Sequence, residues 1–177
     1  MVVITIGGGP GSGTTTIAQI LEKRLGITYI YTGDLFRKKA KDIGMTLTEF
    51  GDYVFTHPEI DRELDRSQEE MAEGGNVILE GRLSGWIVNS KGIPALKVWL
   101  TASPEVRAQR VSDREGKDVE IIRKENEARE KQERERYLEI YRFDIDDMEI
   151  YDLVIETDDL TPDEITDKIC QRLDTME

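Results

Sequence analysis

Cysteine, histidine and positive charge are what this chain has least of. One cysteine, Cys170, in 177 residues excludes an intrachain disulfide and a thiolate metal cluster, and fits a reducing cytosol. The single histidine, His57, leaves no histidine pair for a metal, and its place before Pro58 suits a turn better than a catalytic base. Lys and Arg total 24 against 37 Asp and Glu, a net charge of -13, so a nucleic-acid backbone would be repelled and no nucleic-acid partner is expected. A small anion is a different matter, because a few local donors decide a small site. No apolar run approaches the roughly 20 residues of a membrane span. The first run, Val2 to Ile6, lacks a basic leader and stops at glycine, so it reads as a buried strand and not as a signal peptide. The expectation is a cytoplasmic monomer with no membrane partner.

Hydrophobic residues at 38% and charged residues at 34% allow one substantial core with a heavily solvated surface, and the length suits a single domain over 1–177. Short β-branched or aromatic runs recur at Val2–Ile6, Thr28–Tyr31, Asn76–Leu79, Leu96–Leu100 and Leu153–Ile155. Segments of helical spacing separate them. Ile17, Ile20, Leu21 and Leu25 share one face of a helix that Gly26 stops. Alternating strand and helix predicts an α/β three-layer sandwich around a five-stranded parallel sheet. Lys117 to Tyr141 is highly charged, lacks a broad apolar stripe, and is expected to project from the core.

Between the first strand and its helix stands Gly8-Gly9-Pro10-Gly11-Ser12-Gly13-Thr14-Thr15, a G-x-x-x-x-G-x-[ST] spacing in the context a phosphate-binding loop requires. Glycines let successive N–H groups turn inward, and the helix N-terminus adds about half a positive charge. Residues Gly8 to Thr15 together with Thr16 are the expected ATP-phosphate set, with the Thr15 hydroxyl on Mg2+. Thr14 stands where such loops carry lysine. A charge pair at about 4 Å is worth roughly 4 kcal/mol at an effective dielectric near 20, so other cations are expected to compensate.

Thr32-Gly33-Asp34-Leu35-Phe36-Arg37 follows the second strand and Glu80-Gly81-Arg82 ends the third. Both lie at carboxyl ends of strands, where open α/β sheets bind ligands, so Arg37 and Arg82 can converge on one phosphate. Glu80 suits a contact to magnesium-bound water. In order and interval these elements resemble the nucleoside monophosphate kinases, whose P-loop, TGD-x-x-R and acidic-Gly-x-Arg elements they match. His57-Pro58-Glu59-Ile60-Asp61-Arg62-Glu63-Leu64-Asp65-Arg66, Glu80 to Trp86 and Phe143 to Asp147 resemble the archaeal type of cytidylate kinase. The resemblance implies a P-loop fold, phosphoryl transfer from ATP to CMP or dCMP, an acceptor-binding helical insertion at about 33–75 and a lid at about 107–142. It places Thr32 to Asp34 near the acceptor and its α-phosphate on Arg37 and Arg82. The alternatives are a kinase of AMP or UMP, or an ATP-binding regulator without catalysis.

Cytosine offers an amine donor and a carbonyl acceptor, so its reader needs a carboxylate opposite an amide or guanidinium. Asp61, Asp65 and Arg66 supply such groups on one helix, and Trp86 could line the base pocket. Arg107, Arg110 and Arg114 form one helical stripe, and Arg129 and Arg136 share a face further on. Arg110, Arg129 and Arg136 are the expected closing arginines, which with Arg37 and Arg82 make up the catalytic set. Glu125/Arg129, Glu127/Lys131 and Glu130/Arg134 have the i, i+4 order of ordinary surface pairs.

Overall fold

The structure, a computed structural model, describes residues 1–176. Its strands are β1 (Val3–Gly8), β2 (Thr28–Tyr31), β3 (Val77–Glu80), β4 (Leu96–Thr101) and β5 (Leu153–Glu156). All pairings are parallel, in the order β2-β3-β1-β4-β5. The five expected runs are therefore all strands. β1 extends two residues beyond Ile6 because Gly7 and Gly8 pair with Trp99 and Leu100 of β4; glycine gives no side-chain alternation, so the sequence could not mark that extension.

Period-2 alternation sends residues to two buried faces. Ile4, Ile6, Ile78, Val98 and Leu100 pack with Ile17 and Leu21 of α1 (Thr14–Leu25) and Ile165 and Ile169 of α8 (Pro162–Asp174). Val3, Val77 and Leu79 face the other way, onto Ala72 of α4 (Pro58–Gly74) and Val88 of α5 (Ser84–Lys91). At about 1.5–3 kcal/mol for each fully buried aliphatic side chain, these two faces hold the sheet between its helical layers, as the three-layer reading expected.

Two helical excursions leave the carboxyl edge of the sheet. Between β2 and β3 run α2 (Thr32–Asp42), α3 (Leu47–Thr56) and α4, with a small core of Phe36, Ala40, Phe50, Val54 and Ile60. Between β4 and β5 run α6 (Pro104–Glu115) and the long α7 (Val119–Tyr141). α7 does not simply project. Ile122 packs on Ala108 and Val111 of α6, and Tyr137 packs on Leu83 and on Ile87 of α5, so the charged middle is stretched between two apolar anchors. Among the described residues no helix is long and apolar enough to cross a membrane.

Candidate active site

β1 runs out at Gly8 and α1 begins at Thr14, with Gly11 at φ 82° and Gly13 at φ 96° between them. A Cβ on Gly11 would stand 2.4 Å from the Arg107 backbone oxygen, so the loop can pass under α6 only as glycine. Gly13 is the N-cap of α1 and has no side chain to accept from the first-turn N–H groups, which also have no partner within the helix. α3, α6, α7 and α8 are capped by Thr46, Ser103, Asp118 and Thr161. α1, α2 and α5, the helices that follow β1, β2 and β3, have no side-chain cap. Three positive helix ends thus open at the same edge of the sheet, a setting for anions.

Behind the loop lies Glu80, 3% exposed. Its Oε1 accepts from the hydroxyls of Thr14 and Thr15, both at 2.7 Å, and its Oε2 accepts from the Tyr29 phenol. Thr32 donates to the Glu80 carbonyl at 2.8 Å. Burial first, and then the neighbouring carboxylate, pushes the Tyr29 phenol far above its ordinary pKa, so it stays a donor. Thr14 is therefore tied to Glu80. Thr15 Oγ1 and the Glu80 carboxylate are the hard oxygens that could hold a divalent cation, a pairing that suits a cation keeping several waters.

The arginines divide into groups. Arg107 lies over the loop, its Nη1 3.5 Å from the Pro10 oxygen, and forks onto both carboxylate oxygens of Glu130, with Nη2 at 3.3 Å from Oε2. Arg82 Nη1 stands 2.9 Å from Glu133 Oε2, while Arg129 Nε donates to Glu133 Oε1 at 2.8 Å. Gly9, Arg82, Trp99, Arg107, Glu130 and Arg134 all line one cavity of about 240 Å³. Arg37 is further out, half exposed, paired with Asp34 at 3.0 Å and lying over the Tyr31 ring; the structure does not join it to Arg82. Gly33 and Asp34 open α2 at the same rim.

Two of the expected closing arginines have partners away from the loop's phosphate side. Arg110 does not point over the loop: it donates to Thr157 Oγ1 at 2.9 Å, to the Thr157 carbonyl at 2.8 Å and to the Gly11 carbonyl at 3.4 Å. It braces the loop's outer side, because Thr157, just after β5, in turn donates to the Ser12 carbonyl. Arg136 sits on the acceptor side, over the rings of Phe36 and Tyr137, with Asp61 in its field. Of the i, i+4 orders, Glu130 and Arg134 do not pair with each other but with Arg107 of α6 and with Asp146, while Arg129 keeps an i, i+4 partner on its own helix, Glu133 in place of Glu125.

On that acceptor side α4, α5 and α7 enclose a polar cluster. Asp61 is 5% exposed, and its Oδ2 is buried without a hydrogen-bond partner, as are Arg136 Nε, Trp86 Nε1, Tyr141 OH and Arg82 Nη2. Burial raises the Asp61 pKa against the pull of Arg136. Asp65 is pushed up to about 7, by burial first and then by Asp61 and Glu69, with Tyr141 and Arg136 opposing. Gln68 accepts from Ser84 at 2.9 Å, and Trp86 stacks on Phe143. Arg66 lies on the exposed face of α4, away from Asp61, Gln68 and Ala72. Sequence reasoning missed Tyr29, Glu130 and Glu133, which carried no signal, and passed over Arg107, which stood on the same stripe as Arg110.

Residues 3–159 match the sequence profile of the Cytidylate kinase-like family. The cytidylate kinase of Methanococcus maripaludis strain C5 is 48% identical over 156 residues, covering 88% of each chain. That of Archaeoglobus fulgidus is 51% identical over 155 residues, 87% of this chain and 84% of its own. A shikimate kinase structure from Acinetobacter baumannii aligns over 100% of this chain and 95% of its own, with a TM-score of 0.62 at 17% identity, and so shares the fold. With relatives near half identity over nearly the whole length, and with the glycine loop, Glu80 and Arg82 gathered at one sheet edge, the chain belongs to the cytidylate kinase-like family.

Proposed function

We propose that this protein transfers the γ-phosphoryl group of ATP, bound with Mg2+, to the phosphate of CMP or dCMP. The observation that carries the acceptor half is the buried pair Asp61 and Arg136, a carboxylate oxygen and a guanidinium N–H that both lack a hydrogen-bond partner. Unpaired buried polar groups cost about 1–3 kcal/mol each, and a ligand of complementary pattern removes that cost. Cytosine fits: its amine donates to a carboxylate and its ring nitrogen and carbonyl accept from a guanidinium. Uracil presents a carbonyl where cytosine has the amine, and a carboxylate repels it. Adenine shares cytosine's donor and acceptor order, so the preference over AMP is supported by the relatives. Asp65 and Trp86 complete the pocket wall; Arg66 has no part in it.

The donor half rests on the loop from Gly8 to Thr16. Main-chain N–H groups at the open end of α1 hold the phosphates, and Arg107, released from Glu130, supplies the cation that Thr14 does not. Thr15 and, through water, Glu80 would hold Mg2+, which would neutralise phosphate charge. Arg82 offers its free Nη2 to the acceptor phosphate and Arg37 swings in from the rim, while the α2–α4 insertion and the α6–α7 lid close over both nucleotides. Transfer is direct and in line, and positioning with charge neutralisation provides the rate. Thr32, Gly33 and Asp34 shape the acceptor entrance.

The test is ADP release over CMP, dCMP, UMP and AMP with ATP as donor. The expected result is a kcat/KM for CMP at least about 100-fold above that for UMP, the scale on which a hydrogen-bonding pocket rejects a mismatched edge. Equal use of UMP, or no turnover with any acceptor, refutes the proposal.

A further inference from the structure

Among the described residues, Glu133 is the one carboxylate shared by an arginine at a strand end and an arginine of the α7 helix. Its side chain is 12% exposed and that of Arg82 is 13% exposed, so neither is a loose surface charge. Arg129 spends only its Nε on Glu133 Oε1, leaving the forked end of its guanidinium unengaged by that bond. Arg82 puts only Nη1 near Glu133 Oε2, at 2.9 Å and outside hydrogen-bond alignment, while its buried Nη2 has no partner. Each arginine is thus held by one corner with N–H groups left over. The contrast is Glu130, three residues earlier on the same face, which takes both terminal nitrogens of Arg107. A carboxylate that consumes a whole fork competes with phosphate; one that holds a corner aims the rest of the fork.

We infer that Glu133 is a positioning residue for phosphoryl transfer: it ties Arg82, at the acceptor phosphate, to Arg129, on the lid, so that their free N–H groups converge on the transferring group. This rests on the proposed kinase reading and deepens it. Because one carboxylate bridges the two segments, seating the acceptor and closing the lid become a single event. Its contribution is to the transition state, where a misplacement of about 1 Å can cost about 100-fold.

Glu133→Gln keeps the size and removes the charge. With ATP and CMP the expected outcome is a kcat about 10- to 100-fold lower with KM for ATP changed less than about three-fold. Glu133→Asp, which withdraws the carboxylate by one methylene, falls between. Glu135→Gln on the exposed face of α7 behaves as wild type. Combined with Arg129→Ala, Glu133→Gln costs less than the product of the two single effects, because both act through one guanidinium. All rates are taken well below the unfolding transition of each variant. Wild-type kcat in either Glu133 variant, or full multiplication of the two effects, overturns the inference. A wild-type enzyme that uses no nucleoside monophosphate instead overturns the functional reading, so the two failures are distinguishable.

Discussion

Asp65 should make the protein less stable as pH rises through neutrality, against the usual behaviour of carboxylates that gain partners on folding. Its folded pKa is about 7 against an ordinary 3.8. A carboxyl group raised in this way contributes stability that is complete below about pH 4 and is lost as pH climbs to about 7, because the folded state holds the proton longer. The shift of about 3 units corresponds to about 4 kcal/mol in all, of which roughly 2–3 kcal/mol falls between pH 5 and pH 8. Water entry on ionisation makes that an upper figure. The groups facing it are Asp61 and Glu69 on α4 and Tyr141 and Arg136 on α7. Urea unfolding of wild type and Asp65→Asn at both pH values isolates the effect, since other titrations cancel in the difference. The stability gained by the Asn variant should grow by about 1–3 kcal/mol from pH 5 to pH 8. A difference that stays constant with pH refutes the reasoning.

Three further outcomes are expected. Gly11→Ala puts a methyl 2.4 Å from the Arg107 backbone oxygen at φ 82°, so stability should fall by about 1–3 kcal/mol in urea unfolding and kcat by about 100-fold or more. Arg110→Ala removes three hydrogen bonds behind the loop; unfolding stability should drop by about 2–4 kcal/mol and KM for ATP should rise more than kcat falls, whereas a collapse of kcat at unchanged stability would put Arg110 on the phosphoryl group after all. Thr14→Lys should raise kcat by less than about three-fold, because the bond to Glu80 is lost and Arg107 already brings a cation to the loop; a gain near ten-fold, about 1.4 kcal/mol, would mean the gap is unfilled.

What could be read from the sequence was what has a period or a spacing. Strands showed because Ile4, Ile6, Ile78 and Val98 alternate into one face, and the loop showed because its glycines stand at fixed intervals. α7 did not show in the same way. Its inward positions are Ile122, Asn126, Glu130, Glu133, Tyr137 and Tyr141, spaced four, four, three, four and four, so the helical period is present. Its central members are polar because the middle of α7 faces a charged site and only its ends face apolar anchors. Pair order misled for the same reason. Glu130 and Arg134 suit each other along an isolated helix at about 0.2–0.5 kcal/mol, and Arg107 of α6 and Asp146 of the turn before β5 outcompete that small preference.

The threonine at position 14 then has a consequence for how the site is assembled. A lysine there would stand on α1, fixed to the sheet, and would meet the phosphates whether the lid were open or closed. Here the side-chain cation that lies over the loop is Arg107 of α6, and it is held by Glu130 of α7. On the proposed donor reading, phosphate competes with that carboxylate for the same fork directly above the loop. The charge that other loops carry on a rigid helix arrives in this protein on the excursion between β4 and β5. On that reading, donor binding and the proposed movement of this excursion are two views of one exchange of partners. The Glu130 carboxylate suits that proposed exchange, because it keeps the arginine paired until a more highly charged anion takes it.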